Sequence, residues 1–396
     1  MLTKKLKNKI LILLSSLFFC TNIWAQELVI WTSNEGAAKV INSVKEDFEK
    51  KYQVKVVVEV LNKDLTSLFK TAALTGKGPD ILLWAHDVSG ELAQSGLIEP
   101  LDETPFLKNN LLPVSLKAFH YKGRLYGYPF AVESIVLFYN KDLVKNPPKS
   151  FEEIEQISHK IKNSKEAASG LYGFLYDFKN FFFSFPILNA NGGYIFKETE
   201  GGLNPKDVGI NNQGFIDGLT YLQGLTKNKI IPTSTDRGVA FLNFKTNKLL
   251  FTIDGPWAIK ELNESHVHYG ISTLPLFKNK ISRPFVGVQG FMIRRSSKEK
   301  LLAKEFIEKY LMGKTSMENF YKFDNRLPAR MDVLDLLALS NEQVKVLKES
   351  VASGIPMPNI PQMGSVWGAM GKAFSLSLEQ GLDPKKSLDQ VIGQVQ

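Results

Sequence analysis

The sequence predicts an α/β fold in two domains, on three observations. At 396 residues the chain is long enough for two substantial cores. Its 44% hydrophobic and 22% charged content is that of a globular protein. Short apolar or β-branched runs alternate with helical periodicity, which predicts a sheet with helices on both faces.

Residues 1–25 stand apart from that pattern. Lys4, Lys5, Lys7 and Lys9 precede an almost continuously apolar stretch from Ile10 to Cys20, and Ala25 then offers a small residue before Gln26. This reads as a secretory signal peptide, too short for a membrane span. Lipid anchoring at Cys20 is the alternative, which the bulky Phe18-Phe19 pair before it disfavours. Loss of the four lysines lowers the formal net charge from +9 to +5, too weak a surplus to argue for a nucleic-acid partner. The single cysteine goes with them, so the mature chain has no disulfide and no thiolate metal site.

The remaining elements follow in order. "ELVIW" (27–31) reads as a strand, and 37–52 as a helix with Ala37, Val40, Ile41, Val44 and Phe48 on one face. "VKVVVEV" (54–60) is the next strand, 64–74 a helix, and 80–84 of "GPDILLWAHD" a third strand. In open α/β sheets the ligand lies beyond the carboxyl ends of the strands. Glu35, Trp84 and Asp87 sit at such ends. Glu133 lies in the apolar run 126–140, and desolvating a carboxylate without partners costs several kcal/mol. It should therefore face a polar cleft or turn out to the surface. Ser150 opens a helix as a capping-box residue. An aromatic run (180–186), a helix near 212–227 and the strand "KLLFTIDGPW" (248–257) follow, the last ending in a turn that presents Trp257. "RPFVGVQGFMI" (283–293) reads as a strand returning to the first domain, and the proline-rich stretch after 355 passes into a helix carrying Trp367.

Catalytic and metal motifs are sparse. No G-x-S-x-G elbow occurs. Asp87 and Glu133 would suit a glycosidase acid/base pair, but two carboxylates facing sugar hydroxyls look the same in a sequence. His266-x-His268 lacks a third ligand at any usual spacing, and "GKT" at 313–315 has Glu308 where a phosphate loop needs glycine. No metal or cofactor is expected. The binding constellation is richer: Trp84, Trp257 and Trp367 at element edges, with Asp87, Glu133 and Glu35 nearby. Indole faces bury the C–H face of a sugar ring and carboxylates accept bonds from its hydroxyls.

At these residues the sequence resembles the periplasmic maltose/maltodextrin-binding proteins, the solute receptors of ABC sugar importers. "GPDILLWAHD", "AQSGLIEPL", "YPFAVES", "YNKDLVKNPPKSFEEI", "NGGYIFK", "DGPWA", "PFVGV" and "MPNIPQM" look like that family's segments in the same order, over about residues 27 to 390. The resemblance implies a periplasmic, monomeric, non-enzymatic receptor with a two-lobed, type II-like fold. It implies an N-terminal lobe of 26–131 plus 287–336 and a C-terminal lobe of 132–286 plus 337–396, with hinge crossings between mixed sheets. Its implied partners are a maltose- or maltodextrin-like sugar, an ABC permease with its ATPase subunits and, by family analogy alone, a chemoreceptor. Trp84, Trp257 and Trp367 match aromatic positions, Asp87 and Glu133 match carboxylates that hold hydroxyls, and Glu35 falls where the family has aspartate. Met357 and Phe183 match wall positions.

The departures fall on the polar rim. A lysine and an arginine of the family are Gly36 and Val88 here, and two adjacent glutamates are Thr66 and Ser67. A glutamate and a tyrosine appear as Asn180 and Phe182, a second-lobe tyrosine as Arg237, and an arginine after the last tryptophan as Gly371. Asn180 and Arg237 are candidate substitutes for the lost bonds. A different oligosaccharide, or a different solute, is the alternative that these replacements keep open.

Overall fold

A computed structural model describes residues 26–62, 64–200 and 202–395; the signal-peptide reading lies outside the described residues. Two mixed sheets organise the chain. In the first, strand Glu27–Thr32 pairs in parallel with Lys55–Val60 on one side and Ile81–Ala85 on the other. Phe285–Ile293 then runs antiparallel to both Ile81–Ala85 and Tyr128–Glu133, and the short strands Leu327–Pro328 and Ile355–Pro356 complete the sheet. The second sheet has the order Tyr269–Ser272, Val136–Asn140, Leu249–Asp254, Tyr172–Phe174.

The local chemistry explains these boundaries. The first helix, Glu35–Tyr52, begins where Asn34 Oδ1 accepts the Ala37 N–H at 2.9 Å, and ends where Gln53 turns left-handed. Its Ala37, Val40, Ile41 and Phe48 are buried, as the periodicity predicts. At the helix Phe151–Lys162, Ser150 Oγ accepts from Glu153 N, but the Glu153 carboxylate reaches the N–H of Lys149 rather than that of Ser150. The aromatic run folds as the helix Phe181–Asn189. Phe185 stacks face to face on Phe285, with centroids 3.6 Å apart, tying that helix to the long strand of the first sheet.

The chain passes from the first sheet to the second across only Ser134 and Ile135, both buried. So short a link places the end of one sheet beside the start of the other. The helix Met363–Phe374 carries Trp367 across that junction to the turn His86–Val88. Side chains from both sheets therefore converge on one cleft.

Candidate functional site

The cleft contains a cavity of about 490 Å³ lined by Trp84, Ala85, Asp87, Glu133, Phe182, Phe183, Arg237, Trp257, Arg326, Met357 and Trp367. A second cavity of about 260 Å³ lies alongside, lined by Ser33, Asn34, Glu35, Gly36, Lys39, Lys260, Gln289, Phe323 and Asp324. Trp257 and Arg326 belong to both. The larger cavity is mainly apolar and aromatic; the smaller is polar.

Each lining group arrives from an identifiable place. Trp84 and Asp87 follow from the strand Ile81–Ala85, whose start is pinned by Asp80. That carboxylate accepts from Val29 N at 2.9 Å, Ser297 Oγ at 2.6 Å and Arg294 Nη2 at 3.3 Å. His86 is fully buried. Its Nδ1 accepts the Val288 N–H at 3.1 Å, so Nε2 carries the proton and donates to Met357 O at 2.9 Å. Burial pushes its pKa down to about 4, against the effect of the two backbone bonds. His86 thus holds Met357 at the cavity wall and has the chemistry of a structural link.

Asp87 accepts from Trp367 Nε1 at 3.1 Å across the cleft. Burial pushes its pKa up to about 6, with the indole N–H pulling the other way. Trp257 stands on the turn Pro256–Ala258. A Cβ at position 255 would lie 2.2 Å from its indole, so the ring can pack there only because residue 255 is glycine. Arg237 grips buried Asp254, with Nη2–Oδ2 at 2.9 Å and Nε–Oδ1 at 3.3 Å, and lies over Phe241. Burial, the largest influence, holds Asp254 above the usual carboxylate range, while Arg237 and the Gly255 N–H oppose it.

Glu133 is buried with a partner: Arg326 Nε donates to its Oε2. Arg326 Nη1 donates to Asp324 Oδ1 at 2.6 Å, and the guanidinium lies 5.0 Å from the Trp257 ring centre. Burial favours the neutral form of Arg326, but Glu133 and Asp324 prevail and hold its pKa above the ordinary arginine value.

Of the residues expected from the sequence, Trp84, Asp87, Glu133, Phe182, Phe183, Trp257, Met357 and Trp367 line the larger cavity, and Glu35 lines the smaller. Asn180 lines neither. It caps the helix Phe181–Asn189, accepting from Phe182 N at 3.1 Å, and donates to Asp177 at 3.1 Å. Thr66 and Ser67 likewise lie outside both linings, with Ser67 bonded to Asp64. Arg326, Asp324, Lys39 and Lys260 were missed. The signal for Arg326 was Glu133 itself: a carboxylate buried in an apolar strand needs polar partners, a cation among the candidates, and "DNRLP" places one before an apolar pair. Among the described residues no group of three or more His, Cys, Asp or Glu could hold a metal, and no helix is long and apolar enough to cross a membrane.

Comparison with known proteins gives a consistent picture. A family profile described as "Bacterial extracellular solute-binding protein" matches residues 43–348. The chain is 31% identical to the Galactooligosaccharide-binding protein of Bacillus subtilis over 92% of its own length and 87% of that protein's. It is 29% identical to a Maltooligosaccharide ABC transporter solute-binding lipoprotein of Streptococcus pneumoniae, covering 86% of this chain and 81% of the relative. With a Maltotriose-binding protein of Pyrococcus abyssi the identity is 27%, over 91% and 78% of the two chains.

Proposed function

The chain belongs to the bacterial extracellular solute-binding proteins, and from that premise we propose that its solute is a short neutral oligosaccharide, maltose- or maltodextrin-like. This family binds its solute without transforming it, so the chain is not an enzyme. The observation that carries the proposal is the larger cavity, where three indoles and two phenylalanine rings surround two carboxylates. Apolar ring faces and hydroxyl acceptors in one wall match the two surfaces of a pyranose.

On this reading the receptor works in the periplasm and hands its sugar to an ABC permease driven by ATPase subunits. The lobes are 26–131 with 287–336 and 132–286 with 337–396. Ligand contacts to Trp84 and Asp87 on one side and to Phe182, Phe183 and Trp257 on the other stabilise the closed form, which the permease then selects. The ligand contacts proposed are those lining residues together with Glu133, Trp367, Met357 and, in the adjoining cavity, Glu35.

A galacto-oligosaccharide is the second reading, favoured by the name of the Bacillus relative. A thermal-shift panel of maltose, maltotriose, galacto-oligosaccharides, trehalose and unrelated solutes tests both. One sugar series should raise Tm in a saturable way. Stabilisation by a non-sugar solute alone would overturn the proposal, and product analysis showing turnover of maltotriose would contradict the receptor role.

A further inference from the structure

Two cations reach the larger cavity, Arg237 and Arg326, and their circumstances differ. Arg237 spends Nε and Nη2 on Asp254. Arg326 spends Nε on Glu133 and Nη1 on Asp324, while its Nη2 has no hydrogen-bond partner among the described residues. Arg326 lines both cavities, and its guanidinium carbon lies 5.0 Å from the Trp257 ring centre. Gly36, in the lining of the smaller cavity, and Val88, next to Asp87 in the chain, offer no side-chain donor.

The geometry also ties Gly36 to Arg326. A Cβ at position 36 would lie 2.7 Å from Asp324 Cβ, closer than two such carbons approach. Asp324 is fixed at its own Cβ and cannot swing away as the tip of a long chain would. Any side chain at 36 therefore displaces the carboxylate that orients Arg326. Gly36, Asp324 and Arg326 form one unit.

Resting on the sugar-receptor reading above, we propose that Arg326 is the specificity-determining donor of the cleft. Its Nη2 edge binds hydroxyl oxygens of the ring lying against Trp257, and residue 36 is glycine because Asp324 must stand there to aim that edge. With Nε and Nη1 held, the two N–H groups of Nη2 are fixed in the guanidinium plane, a direction that a flexible lysine ammonium does not impose. Glu133, Asp324 and Arg326 carry one formal negative charge together, so the unit favours a neutral ring over one bearing a carboxylate.

Calorimetric titration of wild type, Arg326→Gln and Arg326→Lys tests this, with maltotriose, β-1,4-galactotriose and the monodeoxy analogues of whichever binds. Arg326→Gln should weaken the parent sugar by about tenfold to about a hundredfold, the range for a bond to a charged group. At least one deoxy analogue that binds the wild type poorly should match the parent sugar in the variant, since the bond it lacks is already gone. A purely structural role would weaken every analogue equally and leave all deoxy penalties intact, and that result overturns the proposal, as does binding within twofold of wild type. Arg326→Lys retains a cation for Glu133; if Arg326→Gln fails to fold, the same cycle is read on the lysine variant. Gly36→Ala should weaken the same sugar with the same deoxy pattern. Failure of the wild type to bind either sugar overturns the parent reading and this proposal with it, a result distinct from sugar binding that ignores Arg326.

Discussion

The two ends of the strand Ile81–Ala85 carry the same chemistry in different surroundings. At its start, Asp80 is surrounded by a backbone N–H, a serine hydroxyl and the buried Arg294. Three donors converge, and nothing is left to offer a ligand. At its exit, Asp87 has one side-chain partner among the described residues, the indole N–H of Trp367, and opens on the cavity. Neighbouring Glu133 shares Arg326 with Asp324 and takes a longer bond from Gln289 Nε2 at 3.4 Å, and Nη2 of that arginine has no partner among the described residues. The count of converging donors, rather than residue type or burial, separates a structural carboxylate from one able to take a ligand.

The largest expected effect comes from breaking the satisfied end. Arg294→Ala leaves Asp80 as a buried charge short of its partner, which costs about 3–5 kcal/mol. Chemical denaturation should show that loss, with sugar affinity little changed in the fraction that stays folded. A loss below about 1 kcal/mol would mean that Asp80 is held by its backbone and serine donors alone.

His86 and Asp87 sharpen the comparison through pH, because their signs are opposite. The folded pKa of His86, about 4, lies below its ordinary 6.5, so protonation opposes folding and stability is lost as pH falls from about 6.5 to about 4. His86→Gln can replace both backbone bonds without titrating, and its Tm should vary less across that window. For Asp87 the folded pKa is about 6 against 3.8, so the protonated form is the one the fold favours. Its ionisation removes stability as pH rises from about 4 to about 6. Asp87→Asn should therefore gain about 1–2 kcal/mol relative to wild type between pH 4 and pH 7, discounted for partial exposure. The same substitution should flatten the pH dependence of sugar affinity, which in the wild type should fall as Asp87 protonates below about pH 6. An unchanged wild-type affinity down to pH 4.5 would remove Asp87 from the ligand contacts.

Much of this was legible in the sequence because it rests on local patterns. The strand–helix alternation of residues 27–85 gives the parallel part of the first sheet, and Ala37, Val40, Ile41 and Phe48 on the apolar face of the first helix are buried as their spacing predicts. Trp84 and Trp257 could be singled out because a strand exit and a Gly-Pro turn present them, whereas Trp367, also expected at an element edge, stands inside the helix Met363–Phe374. The helix at 181–189 was harder to read: its residues are apolar on nearly every side, so no face stands out, and Pro186 argues against a helix. The Asn180 signal before it was present, but its capping role and a ligand role look alike without coordinates. Arg326 was hidden by distance, since its partners Glu133 and Trp257 lie far away in the chain and only the fold joins them.

The central claim is capture of a neutral sugar between indole faces, and its most direct test is calorimetric titration of wild type and Trp257→Ala with maltotriose and β-1,4-galactotriose. The account predicts saturable one-to-one binding of at least one sugar to wild type, recovery of that sugar intact, and a loss of about 1–3 kcal/mol in the variant, the scale of burying one aromatic face. Equal affinity in both proteins would contradict the stacking site, and absence of binding to either sugar would contradict the sugar-receptor account as a whole.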